Sequence, residues 1–353
     1  MAERGGDRER RRRGHLSITH PHNCPISNPQ SPISLRTASR TTEQPFQRIW
    51  VEQVETPRIL RELGASLYHG LAFVAPLRAP CPTVVTVHDL SFMTRPGTHK
   101  LFNRLYLTLF TRWSCRRAAR VIAVSQWTKR DVASLLGIDP ERVDVIPHGV
   151  HPRFRRLPED DVAAFKRAHA IPDRCVFFLG SLEPRKNLAT LIDAFAALRT
   201  QDSGLGTHLI VGGAPGWKYE PIFERVEALG IQERVRFEGQ IAHDDLPFWY
   251  NACAAFAYPS LYEGFGMPVL EAMACGAPVV TSDAASLPEV VGEAGLMVAP
   301  ADAGGLAQAL GRVLSDDALR ADLSRRSVER AAAFTWRRTA ELTMETYRRA
   351  VLL

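Results

Sequence analysis

The sequence predicts an α/β fold of two doubly wound domains. The chain has 353 residues, more than a single hydrophobic core usually holds, so two domains are expected. From residue 46 onward, short apolar runs alternate with segments of helical periodicity. Hydrophobic residues make up 45% and charged residues 23%, which is typical of globular proteins and excludes collagen-like and wholly disordered chains.

The first domain is predicted over residues 46–154 and the second over residues 155–335, with a linker at residues 155–161. Apolar runs in the first domain predict strands at residues 66–69, 83–89, 120–125 and 143–147. Those in the second predict strands at residues 175–180, 208–213, 235–238, 254–258, 278–281 and 296–298. Because helical segments separate the strands, the sheets should be parallel and covered on both faces. Ligands of such sheets bind outside the carboxyl ends of the strands.

Residues 1–45 are rich in Arg, Pro and Ser and lack hydrophobic periodicity, so we predict a disordered tail. The net charge of +6 comes mostly from this end. Of 44 basic and 38 acidic residues, nine and four lie in residues 1–48, which leaves 35 and 34 for the rest. A basic arm that binds nucleic acid is the alternative, but no aromatic residues are interleaved with the arginines. No nucleic-acid partner is expected.

The six cysteines form no CxxC pair and have no partnering His cluster, which argues against a zinc site or a disulfide framework. We expect buried, reduced thiols. No apolar run reaches the roughly 20 residues that a membrane span needs, and no apolar segment follows the Arg-rich start as in a secretory signal. These features predict a cytoplasmic protein.

Residues 258–276, YPSLYEGFGMPVLEAMACG, carry the clearest site pattern. A strand ends near Tyr258, a loop with Gly264 and Gly266 follows, and Pro268 stands where a helix should begin, with Gly276 as its stop. Glycines allow backbone N–H groups to approach a ligand, and a helix N-terminus carries about half a positive charge. The pattern therefore predicts a phosphate-binding loop.

Two carboxylates bracket this loop, Glu263 before it and Glu271 in what we expect to be the first turn of the helix. A carboxylate beside a phosphate would repel it, so each acid should accept hydrogen bonds from sugar or ribose hydroxyls. The alternative is that Glu271 only complements the helix dipole and that Glu263 is a solvated loop residue.

The segment at residues 180–187, GSLEPRKN, follows the first strand of the second domain. Arg185 and Lys186 are placed there to neutralise a bound diphosphate, which is the electrostatic requirement of a nucleoside diphosphate leaving group. A solvated pair of surface cations is the alternative.

These two segments closely resemble retaining glycosyltransferases of family 4, which have the GT-B fold of two facing Rossmann-like domains. The resemblance covers about residues 50–349. Further family features recur in order as TVHDLSF, VIAVSQWTKRDV, VDVIPHGV and a terminal FTWRRTAELTMETYR. The epimerases and phosphorylases that share this type of fold have other motifs. The resemblance also implies that the helix at residues 336–353 packs back on the first domain.

By this resemblance, Glu263 contacts the donor sugar, Glu271 the ribose and Lys186 the phosphates. Many members have an arginine where this chain has Ser181, so Arg185 is expected to supply the second positive charge. The remaining donor-binding positions lie on the loop and helix tip: Gly264, Phe265, Gly266, Met267 and Pro268. His88, at the end of a first-domain strand, matches a family histidine that faces the donor sugar, and Asp89 is expected to orient its loop.

The resemblance implies transfer of a hexose, with mannose favoured, from a nucleotide sugar to a glycan or lipid-linked acceptor with retention of configuration. GDP-mannose or a UDP-hexose is the expected donor. His88, Lys186 and Glu263 are the expected catalytic residues. The departing phosphate oxygen would help to deprotonate the acceptor, so no protein nucleophile is needed, and no glycosidase-like carboxylate pair stands out. No cofactor is implied, and without a DxD motif we expect metal independence.

Two expectations concern the first domain. Its leading strand, Gly-rich loop and helix are not recognisable before Phe46, so we expect an incomplete domain preceded by unrelated sequence. A catalytically impaired remnant that binds nucleotide sugars is therefore the alternative function. Residues 100–120 form a basic amphipathic stretch, with Leu101, Leu105, Leu109 and Trp113 at four-residue spacing. We expect it to pack against its own sheet, and peripheral membrane contact is the alternative.

Overall fold

The computed structural model of the chain describes residues 16–19, 33–36, 45–95, 97, 101–201, 206–216 and 218–352. Twelve strands are present in the described ranges: β1 Leu16–Thr19, β2 Ile33–Arg36, β3 Tyr68–Gly70, β4 Thr83–Val87, β5 Arg120–Ala123, β6 Val143–Val145, β7 Cys175–Leu179, β8 His208–Gly212, β9 Val235–Gly239, β10 Ala255–Tyr258, β11 Val279–Ser282 and β12 Gly295–Val298.

The helices surround the sheets. They are α1 Pro45–Trp50, α2 Thr56–Glu62, α3 Ser91–Thr94, α4 Leu101–Arg117, α5 Gln126–Leu136, α6 Glu159–Ala168, α7 Leu188–Gln201, α8 Glu220–Ala228, α9 Leu246–Ala252, α10 Met267–Ala274, α11 Leu287–Val291, α12 Ala303–Ser315, α13 Asp317–Ala331 and α14 Trp336–Val351. A π-helical segment, Val51–Glu55, joins α1 to α2, and 3-10 turns lie at Pro140–Arg142, Pro184–Lys186 and Gln232–Arg234. None of the described helices combines the length and apolarity needed to cross a bilayer.

The first sheet contains four parallel strands in the order β3-β4-β5-β6. Strand β4 is buried along its whole length, as expected for a central strand covered by helices on both faces. Its apolar side chains meet those of the helices in a core that includes Val85, Leu90, Phe92 and Val121.

The second sheet contains six parallel strands in the order β12-β11-β10-β7-β8-β9. The chain builds outward from β7 to β9, then returns to the other side of β7 with β10. Strand order therefore reverses between β7 and β10, which is the point where doubly wound sheets bind ligands. The two segments singled out in the sequence, residues 180–187 and 258–276, follow these two neighbouring strands.

The predicted linker differs in one respect from the structure. Residues 155–158 are irregular, but helix α6 begins at Glu159, inside the predicted linker. Its first turn holds Glu159, Asp160 and Asp161, and acids there stabilise the helix dipole. The three acids that suggested a linker are thus the start of a helix.

The C-terminal helix α14 packs against the first sheet, although the chain reaches it from the second domain. Tyr347 bonds His69 through its hydroxyl at 2.6 Å, and Arg349 pairs with Asp144 at 3.0 Å. Ala350 is buried in a small cluster with strands of this sheet. The chain therefore crosses between the domains twice, and the crossings touch, since Val150 N–H donates to Phe334 C=O at 3.0 Å.

The predicted disordered tail, residues 1–45, lies mostly outside the described residues. Within it the structure describes strands β1 and β2, which pair in parallel with Leu16 opposite Ile33. For these eight residues the prediction of disorder was wrong. Each strand has only four residues, too few for the periodicity that a sequence pattern needs.

Helix α4 packs against the first sheet as expected, with Cys115 in the core beside Val85 and Val121, but the apolar stripe is not the face that packs. Leu101, Leu105, Leu109 and Trp113 are all exposed, Leu105 by 52%. A different face of the helix points inward, with Tyr106, Thr111 and Cys115 buried. Four-residue spacing identifies one face of the helix but does not say which face meets the protein.

Four of the six cysteines, Cys115, Cys175, Cys253 and Cys275, are buried free thiols, as predicted. Cys81 is also free but only half-buried, and Cys24 lies outside the described residues.

Candidate active site

The candidate site is assembled where strands β7 and β10 end side by side. After β7 the chain makes a short 3-10 turn, Pro184–Lys186, which ends because Asn187 adopts the left-handed conformation. The Asn187 side-chain amide donates to the carbonyls of Pro259 and Pro300 at 3.0 and 2.7 Å. These bonds hold the turn against the loops that follow β10 and β12.

Glu263 is the centre of a buried ionic cluster. Its Oε1 accepts from Lys186 Nζ at 2.7 Å and from Ser260 Oγ at 2.7 Å, and its Oε2 accepts from Arg185 at 3.1 Å. The Tyr258 hydroxyl accepts from Lys186 at 2.7 Å and donates to Oε1 at 3.1 Å. The structure therefore brings together three predicted site residues, Lys186, Arg185 and Glu263.

The electrostatics of the cluster keep Glu263 ionised. Burial acts to raise the pKa of this carboxyl, but Lys186 and Arg185 outweigh it and hold the pKa below its usual range. Arg185 is also paired with Glu183 at 2.8 Å. The side chains of Lys186 and Arg185 are only 11% and 16% exposed, so neither cation is the solvated surface group considered as the alternative.

The loop after Glu263 leads directly into helix α10. Gly266 precedes the helix with φ of 101°, a conformation that strains any residue with a Cβ. Met267 is the first helical residue and Pro268 the second, and Gly276 follows the helix with φ of 77°. Pro268 has no N–H, and the N–H groups of Val269 and Leu270 donate to the Gly266 carbonyl at 3.0 and 3.2 Å. The positive end of the helix dipole is therefore what favours an anion at this tip.

Glu271 is the fifth residue of α10, so its predicted place in the first turn was wrong by one residue. The helix starts at Met267, one residue before Pro268. Tyr250 donates to Glu271 Oε2 at 3.0 Å. Burial raises the pKa of Glu271 to about 7. Glu263 is thus held by two cations, whereas Glu271 is held by the phenol group of Tyr250.

His88 follows β4 and meets the donor loop from the first domain. Its Nε2 donates to the Leu71 carbonyl at 2.8 Å, which leaves Nδ1 as the acceptor for His148 Nε2 at 3.4 Å. The His148 ring stacks on His88 and contacts Phe265 edge-on. Burial, and then His88, lower the pKa of His148 to about 4, so it is neutral near pH 7. Asp89 accepts from Ser91 N–H at 2.8 Å and so orients the loop.

Gly264 lies directly against the first domain. A Cβ on Gly264 would lie 1.7 Å from the His88 carbonyl oxygen, so only glycine fits there. Thr128 of the first domain donates to the Gly264 carbonyl at 3.2 Å. The neighbouring Tyr262 hydroxyl accepts from Leu90 N–H at 3.1 Å and donates to Asp131 at 2.6 Å.

Three site residues were not found from the sequence. Tyr258 and Ser260 bind Glu263, and His148 stacks on His88. His148 ends the motif VDVIPH, three residues after the end of β6, so its place after a strand was a usable signal. The sequence pattern identified Tyr258 only as the end of a strand, because the last residue of a buried strand usually packs in the core.

No group of three His, Cys, Asp or Glu side chains in the described ranges is arranged to hold a metal ion. Metal independence of the reaction stays a prediction.

Two family models match the chain. The model described as "Glycosyltransferase Family 4" matches residues 6–154, and "Glycosyl transferases group 1" matches residues 161–330. The first match begins at residue 6, so the prediction that residues 1–45 are unrelated to the family was wrong for most of that segment. Short strands separated by Arg-rich and Pro-rich sequence carry too little periodicity to reveal it.

The similar proteins include mannosyltransferases and a glycosyltransferase. O-antigen chain mannosyltransferase B of Escherichia coli is 31% identical over 298 residues, which is 82% of this chain and 76% of the relative. A serotype-specific mannosyltransferase WbdA of Escherichia coli is 30% identical over 276 residues, but the chain spans only 34% of its length. D-inositol 3-phosphate glycosyltransferase of Salinispora tropica is 36% identical over 248 residues, or 66% of this chain and 52% of the relative.

Solved structures agree in fold. Anabaena HepE, solved with UDP and glucose, superposes with a TM-score of 0.71 at 22% identity, over 91% of this chain and 86% of that one. Sucrose-phosphate synthase of Thermosynechococcus elongatus superposes with a TM-score of 0.75 at 23% identity, over 95% and 87%. At these identities the likeness concerns the fold alone.

Proposed function

Because this chain belongs to glycosyltransferase family 4, has the GT-B fold and is a hexosyltransferase, we propose that it transfers mannose from a nucleotide sugar to a glycan acceptor with retention of configuration. The names of its relatives favour mannose and therefore GDP-mannose, with a UDP-hexose as the second donor to test. The observation that carries the proposal is the buried cluster of Lys186, Arg185 and Glu263 at the reversal point of the second sheet.

In the proposed complex the donor diphosphate lies between the cations and the tip of α10. Lys186 has three N–H donors and uses two, for Glu263 and Tyr258, so one remains for a phosphate oxygen. Arg185 supplies the second positive charge, because this chain has Ser181 where many family members have an arginine. The peptide groups from Gly264 to Met267 and the ring of Pro268 would form the wall of the phosphate pocket.

The two acids would hold the sugars of the donor. Glu263 Oε2 receives one described hydrogen bond, from Arg185, so it can also accept from a hydroxyl of the transferred hexose. Glu271 keeps one carboxylate oxygen beyond its bond from Tyr250 and is proposed to accept from the ribose hydroxyls. His88 is proposed to contact the hexose from the opposite side of the cleft, since it lies against Gly264.

The proposed chemistry takes place on one face of the sugar. The bond from the anomeric carbon to the phosphate oxygen breaks, and the bond to the acceptor oxygen forms on the same face. The acceptor proton passes to the departing phosphate oxygen, so no protein nucleophile is used. Lys186, Arg185 and the helix tip would stabilise the charge that develops on the diphosphate, with no metal ion or cofactor required.

We further propose that the enzyme works at the cytoplasmic surface of a membrane and takes a lipid-linked acceptor. Helix α4 presents exposed Leu101, Leu105, Leu109 and Trp113. The same helix contains four arginines and no acid, so an apolar stripe with basic flanks faces outward. Such a surface suits an anionic bilayer. The five described cysteines are free thiols, as is usual in a reducing compartment.

The test of the proposed function is transfer by the purified full-length protein from GDP-mannose and from UDP-glucose to a lipid-linked glycan. Proton NMR of the product reports the anomeric configuration. We expect mannosyl transfer from GDP-mannose with retention and without added metal. Binding of GDP with no transfer from either donor would favour the impaired remnant, and an inverted product would refute the proposed mechanism.

A further inference from the structure

Tyr262 joins the two domains and the ionic cluster in one short segment. Tyr262 is buried, with 4% of its surface exposed. The hydroxyl accepts from Leu90 N–H at 3.1 Å, just after His88, and donates to Asp131 Oδ2 at 2.6 Å on helix α5. One hydroxyl therefore binds two separate elements of the first domain.

The backbone of Tyr262 belongs to the cluster itself. Its carbonyl accepts from Arg185 at 2.9 Å, and the next residue is Glu263. Leu261 N–H donates to the Arg185 carbonyl at 2.8 Å, which ties the segment to the 3-10 turn. A shift of Tyr262 by one ångström would thus move both the Glu263 carboxylate and the acceptor that orients Arg185.

Further contacts hold the same face of the second domain against the first. Thr128 donates to the Gly264 carbonyl, and Glu289 accepts from the backbone N–H groups of Gln126 and Trp127, both at 2.7 Å. The carboxylate of Glu289 thereby occupies the N-terminus of α5, where a negative charge is stabilised. These bonds exist only while the domains are closed.

We propose that Tyr262 is a positioning residue: through its bonds to Asp131 and Leu90, closure of the domains fixes the place of Glu263 and Arg185 for transfer. The proposal rests on the proposed transferase function and goes beyond it, because Tyr262 touches neither donor nor acceptor in that scheme. Donor nucleotide binds mainly to groups of the second domain. The transfer step needs the closed arrangement, so loss of the Tyr262 hydroxyl should slow turnover more than it weakens nucleotide binding.

The test compares Tyr262→Phe, Asp131→Ala and the double variant in the full-length protein. Each single variant removes one side of the same bond, at a cost of roughly tenfold in kcat. We expect the donor KM and the dissociation constants of GDP and UDP to change less than about twofold. The double variant should lose little more than the worse single variant, because both changes break one interaction. Tyr219→Phe, on the second domain, is the matched control and should keep wild-type kinetics.

Small-angle X-ray scattering gives a readout that does not depend on turnover. The unliganded Tyr262→Phe and Asp131→Ala proteins should have a larger radius of gyration than wild type, with unchanged far-ultraviolet circular dichroism. Multiplicative losses of kcat in the double variant, equal losses of kcat and nucleotide affinity, or wild-type scattering and kinetics would each overturn the proposal. Failure of wild type to bind GDP or UDP would instead refute the proposed function, while the scattering comparison would still judge the role of Tyr262 in closure.

Discussion

Lys186 Nζ lies 2.7 Å from Glu263 Oε1, in an ion pair whose side chains are only 11% and 10% exposed. A pair so well shielded from water depends on both partners, since the charge left behind by removing one is costly. The same bond places a cation where the leaving diphosphate is proposed to lie. Stability and catalysis are therefore coupled at this position.

Replacing Lys186 with alanine should reduce kcat by on the order of a hundredfold or more, because a charge that stabilises the leaving group is lost. It should also lower the free energy of unfolding by about 3 kcal/mol, since Glu263 keeps only Arg185 as its cation. Steady-state kinetics and denaturant titration measure the two effects. The control is Lys166→Ala, which breaks an ion pair of 2.8 Å to the fully exposed Asp173 and should change little. Near-normal turnover of the Lys186 variant would contradict its assigned role.

Glu271 should make donor binding depend on pH. Its pKa is raised to about 7, so the carboxylate loses its charge, and with it acceptor capacity for the ribose, as the pH falls below about 7. Donor affinity should therefore decline between pH 8 and pH 6, and Glu271→Gln should flatten this dependence at a lower affinity. Isothermal titration calorimetry with GDP across this range is the measurement, and the exposed Glu293→Gln is the control.

Glu271 should also make the free energy of unfolding depend on pH, in the direction opposite to that of donor affinity. The folded pKa lies above the ordinary 4.5, so the folded state binds the proton more tightly and the free energy of unfolding falls as the pH rises from about 4.5 to about 7. Glu271→Gln mimics the protonated form. It should be more stable than wild type at pH 8 by about 1 to 3 kcal/mol and equal to it near pH 4. Equal stability of the two proteins at pH 8 would argue that Glu271 is better solvated than the structure indicates.

Gly264→Ala should prevent the domains from closing. The added Cβ would lie 1.7 Å from the His88 carbonyl oxygen, a distance that only separation of the domains can relieve. We expect kcat to fall by on the order of a hundredfold, with GDP affinity changed much less. Gly304→Ala in helix α12 is the control, because its Cβ would meet nothing closer than 3.5 Å. An active Gly264→Ala enzyme would mean that transfer does not require the observed contact.

Helix α4 should bind anionic vesicles through its exposed stripe. A leucine side chain that is fully buried in the bilayer contributes about 1.5 to 3 kcal/mol to binding. Replacing Leu105 and Leu109 with serine should therefore lower vesicle binding at least tenfold. Co-sedimentation with phosphatidylcholine vesicles, with and without phosphatidylglycerol, measures it. Leu229→Ser, exposed by 37% on the second domain, is the control. Equal binding of all three proteins would place the membrane contact elsewhere or exclude it.

The architecture was largely predictable because buried parallel strands appear in the sequence as continuous apolar runs. Strands β4, β7 and β8 were predicted with the correct start, and their carboxyl ends located the loops that form the site. The loop–helix pattern also predicted that a helix begins beside Pro268, since Gly and Pro positions report backbone conformation directly.

The partners within the site were not predictable from the same patterns. That Glu263 is held by Tyr258 and Ser260 depends on how a loop folds back on itself, which no local periodicity encodes. The bond from Tyr262 to Asp131 joins residues 131 positions apart in different domains. Likewise, the spacing of Leu105 and Leu109 identified a stripe, whereas only the packing of α4 decides whether that stripe faces the core.

The two chain crossings at Val150 and Phe334 share a hydrogen bond, so both covalent connections between the domains lie along one line. Two adjacent connecting segments form a hinge with a single axis. The domains can rotate about this axis, but they cannot easily slide past each other. The two domains can then separate at the cleft while their alignment with each other is preserved. Each reclosure would return Gly264 to the same place against His88, so a product can leave and a new donor enter without loss of alignment.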